Sequence, residues 1–137
     1  MKRILVTGAN KGIGLATVEN LLQNHPDTFL ILGSRDEKRG DEAVGLLTSK
    51  EPKWSDRLMM LAIDVSSEES VTMAAETVDS SFETEAKPLY GIINNAGIGS
   101  SSIGLEPTLQ VNTWGIHRVC EAFIPVSYTH LTLPTTS

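Results

Sequence analysis

Apolar residues run along this chain in two alternating rhythms. Short continuous runs occur at Ile4-Leu5-Val6, Thr28 to Gly33, Arg57 to Ile63 and Leu89 to Asn94. Between them lie longer stretches in which apolar positions recur every three or four residues, such as Leu15, Val18, Leu21 and Leu22. A continuous run suits a strand covered on both faces, and the wider spacing marks one side of a helix. The pattern predicts strands over about 3–7, 28–33, 57–63 and 89–94, and helices over about 12–24 and 36–50, from Ser66–Glu69 to about 84, and over 108–123. His25-Pro26-Asp27 stops the first helix, because proline cannot continue it. Gly40 and Gly45 weaken the second, and residues 52–56 read as a loop. Ser66-Ser67-Glu68-Glu69 offers the hydroxyls and acids that begin a helix.

Strands alternating with helices at this pitch make βαβ units and a parallel sheet. Right-handed crossovers place the first three strands in order 3-2-1, and the fourth must then lie on the other side of the first. That gives order 3-2-1-4, about four strands, and a switch point between strands one and four where such sheets hold ligands. The stretch from Pro125 to Ser137 breaks the rhythm. Residues 126–137 are rich in threonine, hold no Lys, Arg, Asp or Glu, and include Pro134. A central parallel strand is expected to be Val, Ile and Leu, so this stretch is expected not to form a fifth strand. It resembles the translation of a sequencing adapter, and residues 126–137 are expected to be foreign to a domain spanning 1–125. The outer edge of strand four would then lie open.

One turn sits at the switch point. Val6-Thr7-Gly8-Ala9-Asn10-Lys11-Gly12-Ile13-Gly14 joins the first strand to the first helix. Gly8 lets the chain leave the strand, Gly12 lets a pyrophosphate approach the backbone, and Gly14 lets the helix lie close on the sheet. The N–H groups of the first helical turn, with the positive end of its dipole, suit an anion. The spacing GxxxGxG is neither GxGxxG nor GxxxxGK[ST]. The doubly wound sheet is therefore expected to be of Rossmann type, incomplete at its far side.

Composition narrows the partners. With 40% hydrophobic and 20% charged residues, the chain of 137 residues has the balance of a globular domain. A net charge of −6 and no Lys/Arg stripe argue against nucleic acid. No apolar run approaches the roughly 20 residues of a membrane span, and the start is too short an apolar stretch for a signal peptide. A single cysteine, Cys120, excludes an internal disulfide and fits a reducing compartment, so a cytoplasmic address is expected. His25, His117 and His130 have no metal-ligand spacing, and no metal is expected.

The run TGANKGIG at 7–14, Asp64-Val65, NNAG at 94–97 and Val111-Asn112 together resemble the short-chain dehydrogenase/reductases, most nearly the carbonyl-reductase type. The resemblance covers residues 2–125, about the first half of a typical member, so an N-terminal fragment is expected. It implies an oxidoreductase moving hydride between nicotinamide and a small carbonyl or alcohol substrate. It places cofactor contacts at Gly8, Asn10, Lys11, Gly12, Ile13 and Gly14, an adenine contact at Asp64 and Val65, and room for a ribose at Asn94, Ala96 and Gly97. It makes Asn112 the residue that bends its helix and holds a water for proton relay.

Charge bears on the choice of cofactor. An NAD site places a carboxylate at the end of strand two, for the ribose 2′-OH. This chain has Ser34 and then Arg35 there, with Lys11 in the turn. Serine can donate to a 2′-phosphate and guanidinium can clamp it, which favours NADP(H). Asp36 is expected to begin the next helix. The family's general acid is a tyrosine followed four residues on by lysine, yet Tyr90 is followed by Asn94 and Tyr128 by Thr132. Two further readings stand beside the oxidoreductase: a non-catalytic dinucleotide-binding module, and a methyltransferase or sugar-nucleotide epimerase, which NNAG and the glycine spacing disfavour. Composition and spacing leave the oligomeric state and the substrate's identity open.

Overall fold

The computed structural model describes residues 1–82, 88–96, 114–123 and 125, and the backbone of residues 127–132. Strand β1 (Lys2–Val6) is the centre of a parallel sheet. On one side it pairs with β2 (Thr28–Ser34), which pairs with β3 (Leu58–Ala62). On the other it pairs with β4 (Leu89–Asn94), in register Ile4 with Gly91 and Val6 with Ile93. Helices α1 (Gly12–Asn24), α2 (Glu37–Lys50), α3 (Glu68–Ser81) and α4 (Gly115–Phe123) connect or flank these strands.

The continuous apolar runs of the strands are explained by two separate cores. Successive residues of a strand point to opposite faces. Leu5, Ile31, Ile63 and Ile92 therefore meet Val71 and Val78 of α3 and Val119 and Phe123 of α4. Their neighbours Val6, Leu30 and Leu32 meet Val18 and Leu22 of α1 and Leu47 of α2. Gly40, which weakens α2 in isolation, is buried where a Cβ would approach Ser34 Cβ at 3.0 Å and Met60 Cγ at 2.8 Å, so it permits close packing.

Two expectations fail. Residues 52–56 are not a loop: Pro52–Arg57 form a 3₁₀ helix, with Pro at its first turn and Glu51 accepting from Lys53 N–H as cap. Arg57 closes this element and reaches across it. Its guanidinium donates to Leu22 O (3.1 Å), His25 O (2.7 Å) and Thr28 O (2.9 Å), gathering the end of α1 and the start of β2.

The second correction is larger. The first four strands lie in the expected order 3-2-1-4, but Ser127–Thr132, expected to form no strand, add a fifth, β5, parallel to β4. The register pairs Leu89 with Ser127, Ile92 with His130 and Asn94 with Thr132. Without it β4 would present a full row of unpaired N–H and C=O groups, which strongly favours any extended partner. Threonine and tyrosine are good strand formers whatever the lack of aliphatic residues. Pro134 lies outside the described residues. The outer edge of β4 is therefore not open. Helix α3 ends at Ser81, and the expected first turns of α4, over 108–113, lie outside the described residues. Among the described residues, no helix is long and apolar enough to cross a membrane.

Candidate functional site

The carboxyl ends of the strands are laced together just where the loops begin. Ile63 N–H donates to Ser34 O (3.0 Å), Ala9 N–H to Gly33 O (2.8 Å) and Thr7 N–H to Ile93 O (3.1 Å). The ends of β3, β2, β1 and β4 thus form one continuous ledge. The glycine turn rises from its middle.

Gly8 and Gly12 have φ of 60° and 59°, in the left-handed region that side chains with a Cβ resist. At Gly8 a Cβ would also stand 2.8 Å from Ala96 Cα, so the turn and the end of β4 are in close contact. At Gly12 the same position is open space. Gly14 is buried, where a Cβ would meet Asn95 Nδ2 and come 2.9 Å from Ala9 Cα, which lets α1 descend onto the ledge.

The start of α1 differs from the starts of α2 and α3. Asp36 caps α2 by accepting from Arg39 N–H, and Ser67 caps α3 by accepting from Ser70 N–H. At α1 the N-cap is Lys11, which makes no side-chain cap hydrogen bond, and no acidic residue stands in the first turn. Helical N–H groups without a side-chain acceptor, under a positive dipole end, suit an anionic group. With Gly12 open above them, the residues present fit a dinucleotide pyrophosphate.

The sequence reading overlooks the residues that hold this turn in place. Thr7 is 1% exposed, and its Oγ1 accepts from both Asn95 N–H and Ala96 N–H at 3.0 Å. Asn95 in turn donates its side-chain amide to Gly8 O at 3.0 Å. Both residues lie inside the recognised motifs, but only tertiary contact over nearly ninety residues of chain reveals their partnership. Asn94 is buried, on the face of Ile92, and its amide nitrogen has no hydrogen-bond partner among the described residues. Ala96 is half-buried against Gly8.

The end of β2 differs from its expected role in part. Ser34 is fully buried, and its hydroxyl donates to Asp36 O (2.7 Å) and accepts from Asp36 N–H (3.3 Å). It shapes the turn into α2 and is not presented to solvent. Arg35 is exposed next to it, Asn10 is half-exposed, and Lys11 and Ile13 are exposed on the glycine turn. Asp36 begins α2 as expected and lies 3.8 Å from Arg39 Nε.

Beyond β3, Asp64 is half-buried and Val65 is buried under Gly115 of α4, where a Cβ would stand 2.9 Å from Val65 Cγ2. Arg118 of α4 donates to Val65 O at 3.1 Å. Gly97 and Asn112 lie outside the described residues. Cys120 sits half-buried on α4, and burial pushes its thiol up, the opposite of what a nucleophile needs.

A parallel sheet whose order reverses at a left-handed glycine turn, ahead of an uncapped helix, defines a dinucleotide-binding α/β protein. The chain belongs to the short-chain dehydrogenases, whose family model matches residues 2–129. It is 35% identical over 133 residues to the mitochondrial D-beta-hydroxybutyrate dehydrogenase of Bos taurus, covering 91% of this chain and 37% of that protein. The NADPH-bound carbonyl reductase from chicken fatty liver is 31% identical with a TM-score of 0.75, over 92% of this chain and 51% of that one. A Burkholderia phymatum short-chain dehydrogenase/reductase in complex with NAD shares the fold at TM-score 0.74 and 24% identity, over 92% of this chain and 44% of that one. The chain thus spans about half or less of the length of these proteins.

Proposed function

We propose that this chain is the cofactor-holding part of an NADP(H)-dependent oxidoreductase of carbonyl-reductase type, acting on a small carbonyl or alcohol substrate in the cytoplasm. The observation that carries the reading is the glycine turn: left-handed at Gly8 and Gly12, open above Gly12, and leading into a helix with no side-chain cap. Gly12, Ile13 and Gly14 would receive the pyrophosphate, and Asp64 and Val65 the adenine. Asn94, Ala96 and Gly97 would flank the ribose, with Asn10 beside the turn. The bound cofactor supplies the hydride. Asn112 would hold a water for proton transfer.

NADP(H) is favoured because Arg35 is exposed directly after β2 and Lys11 is exposed on the turn after β1, two cations at the carboxyl ends of neighbouring strands. The nearest carboxylate, Asp36, is engaged as the cap of α2. Ser34 acts in this reading by setting the turn that presents Arg35. The NADPH-bound chicken reductase supports the same choice, while the NAD complex from Burkholderia phymatum resembles this chain in fold alone.

A second reading, a dinucleotide-binding module without catalysis, is favoured by one observation: no tyrosine in the sequence has a lysine four residues on. Titration of NADPH and NADH onto the 137-residue chain tests these readings. NADPH should bind tighter, and Arg35→Asp should shift preference towards NADH. A reactive carbonyl should elicit no NADPH oxidation from this chain. Comparable affinities for the two cofactors refute the NADP(H) assignment, and steady oxidation refutes the expected inactivity. Residues 1–125 form the dinucleotide-binding domain in this reading, and the composition of 126–137 supports a foreign origin for that stretch, against its pairing in β5.

A further inference from the structure

We infer that Ser66 is a positioning residue for cofactor recognition, holding the Asp64 carboxylate by one oxygen so that the other faces the adenine amino group. This rests on the reading of Asp64 as an adenine contact. The loop between β3 and α3 supports it through four hydrogen bonds on Asp64. Ser66 Oγ donates to Asp64 Oδ1 at 2.6 Å, and Ser66 N–H donates to the same oxygen at 3.0 Å. Ser70 Oγ, from the first turn of α3, accepts from Asp64 N–H at 2.8 Å. Asp64 O accepts from Ser67 N–H at 3.0 Å, which closes the turn.

The asymmetry matters. Both Ser66 donors converge on Oδ1, and Oδ2 has no partner among the described residues. A carboxylate has about four acceptor sites, so a half-exposed aspartate held on one oxygen keeps the other ready to accept a ligand N–H. Its rotation is restricted at the same time. The backbone on either side is held too, by Ile63 N–H on Ser34 O and by Val65 packed under Gly115. An aspartate in an ordinary turn would need only the backbone N–H of Ser66. The 2.6 Å hydroxyl bond is the addition, a second donor on the same oxygen that holds the carboxylate more firmly in that orientation.

The chemistry names a readout. Adenine offers an amino donor where hypoxanthine carries a carbonyl acceptor, so an oriented carboxylate prefers the adenine dinucleotide. The experiment measures binding of NADPH and of its hypoxanthine analogue to the 137-residue chain, as wild type, Ser66→Ala, Ser66→Thr and Asp64→Ala. Wild type should prefer NADPH by about tenfold, the scale of one hydrogen bond to a charged group. Ser66→Ala should bring that ratio to within about twofold by weakening NADPH alone, Asp64→Ala should do the same, and Ser66→Thr should restore it.

A merely structural role for Ser66 would weaken both ligands equally and leave the ratio unchanged, and that result overturns the inference. Wild type binding both ligands equally overturns it as well, by removing Asp64 from adenine recognition. Wild type binding neither overturns the proposed function itself and takes this role with it. Hydrogen exchange of the Ser66 amide adds a ligand-free check: it should quicken in Asp64→Ala, and an unchanged rate counts against the contact.

Discussion

Replacing Thr7 by valine removes a hydroxyl from the middle of the site while keeping the shape of the side chain. Thr7 is 1% exposed, so the substituted methyl group stays packed and no cavity opens. What is lost is one acceptor serving two donors, Asn95 N–H and Ala96 N–H, each at 3.0 Å. A buried donor left without a partner costs about 1–3 kcal/mol. Both residues are half-buried, which lets water reach them in part, so the lower half of that range applies to each. The sum is about 2–4 kcal/mol. A domain of this size loses roughly 4 °C of melting temperature per kcal/mol, so the midpoint should fall by roughly 8–16 °C. Thermal unfolding followed by far-UV circular dichroism measures the midpoint, and urea unfolding measures the free energy, with its slope unchanged if the folded state stays the same size. Thr7→Ser retains the acceptor and should recover most of the loss. The reasoning is refuted if valine unfolds within about 0.5 kcal/mol of wild type, or if serine is destabilised as much as valine.

Arg57→Ala should cost about 2–3 kcal/mol in the same assay, because three carbonyls at the junction of α1 and β2 lose a charged donor. Arg57→Lys should recover only part, since an ammonium lacks the planar fork that reaches all three. The proposal that residues 126–137 are foreign predicts that an independent clone of the gene departs from this sequence after about Pro125. A clone encoding the same residues overturns it.

Much of the architecture is legible in the apolar rhythm because each element's burial is simple. Strands β1 to β4 are covered on both faces, so their continuous runs stand out, and β4 falls on Leu89–Asn94 as read. Helix α1 falls on residues 12–24 because a glycine turn opens it and Pro26 closes it. The rhythm fails where backbone satisfaction decides instead of side-chain burial. Strand β5 forms on the free ladder of β4 although Ser127–Thr132 lack the aliphatic residues of a central strand. The 3₁₀ helix at 52–57 is set by local capping and by Arg57, with no apolar period to announce it. In the site, glycines reveal themselves by spacing. Thr7 and Asn95 do not, because a threonine on a strand and an asparagine at its end fit many environments. Ser34 shows the reverse: its position suggests a ligand donor, yet its hydroxyl turns inward to Asp36.

Helix α1 has a mechanical property that follows from its two ends. At the upper end Gly14 lies against Asn95 and Ala9 with no room for a methyl group. At the lower end Arg57 grips the carbonyls of Leu22 and His25. Thirteen residues span about 20 Å between these points. A rod pinned at both ends can neither slide along the sheet nor roll about its axis without breaking one of the pins. The glycine-turn end is therefore held in place by the fold itself, and in the proposed reading a cofactor need not order it. Positions between the pins that face solvent, such as Asn20 and Gln23, contribute to neither pin.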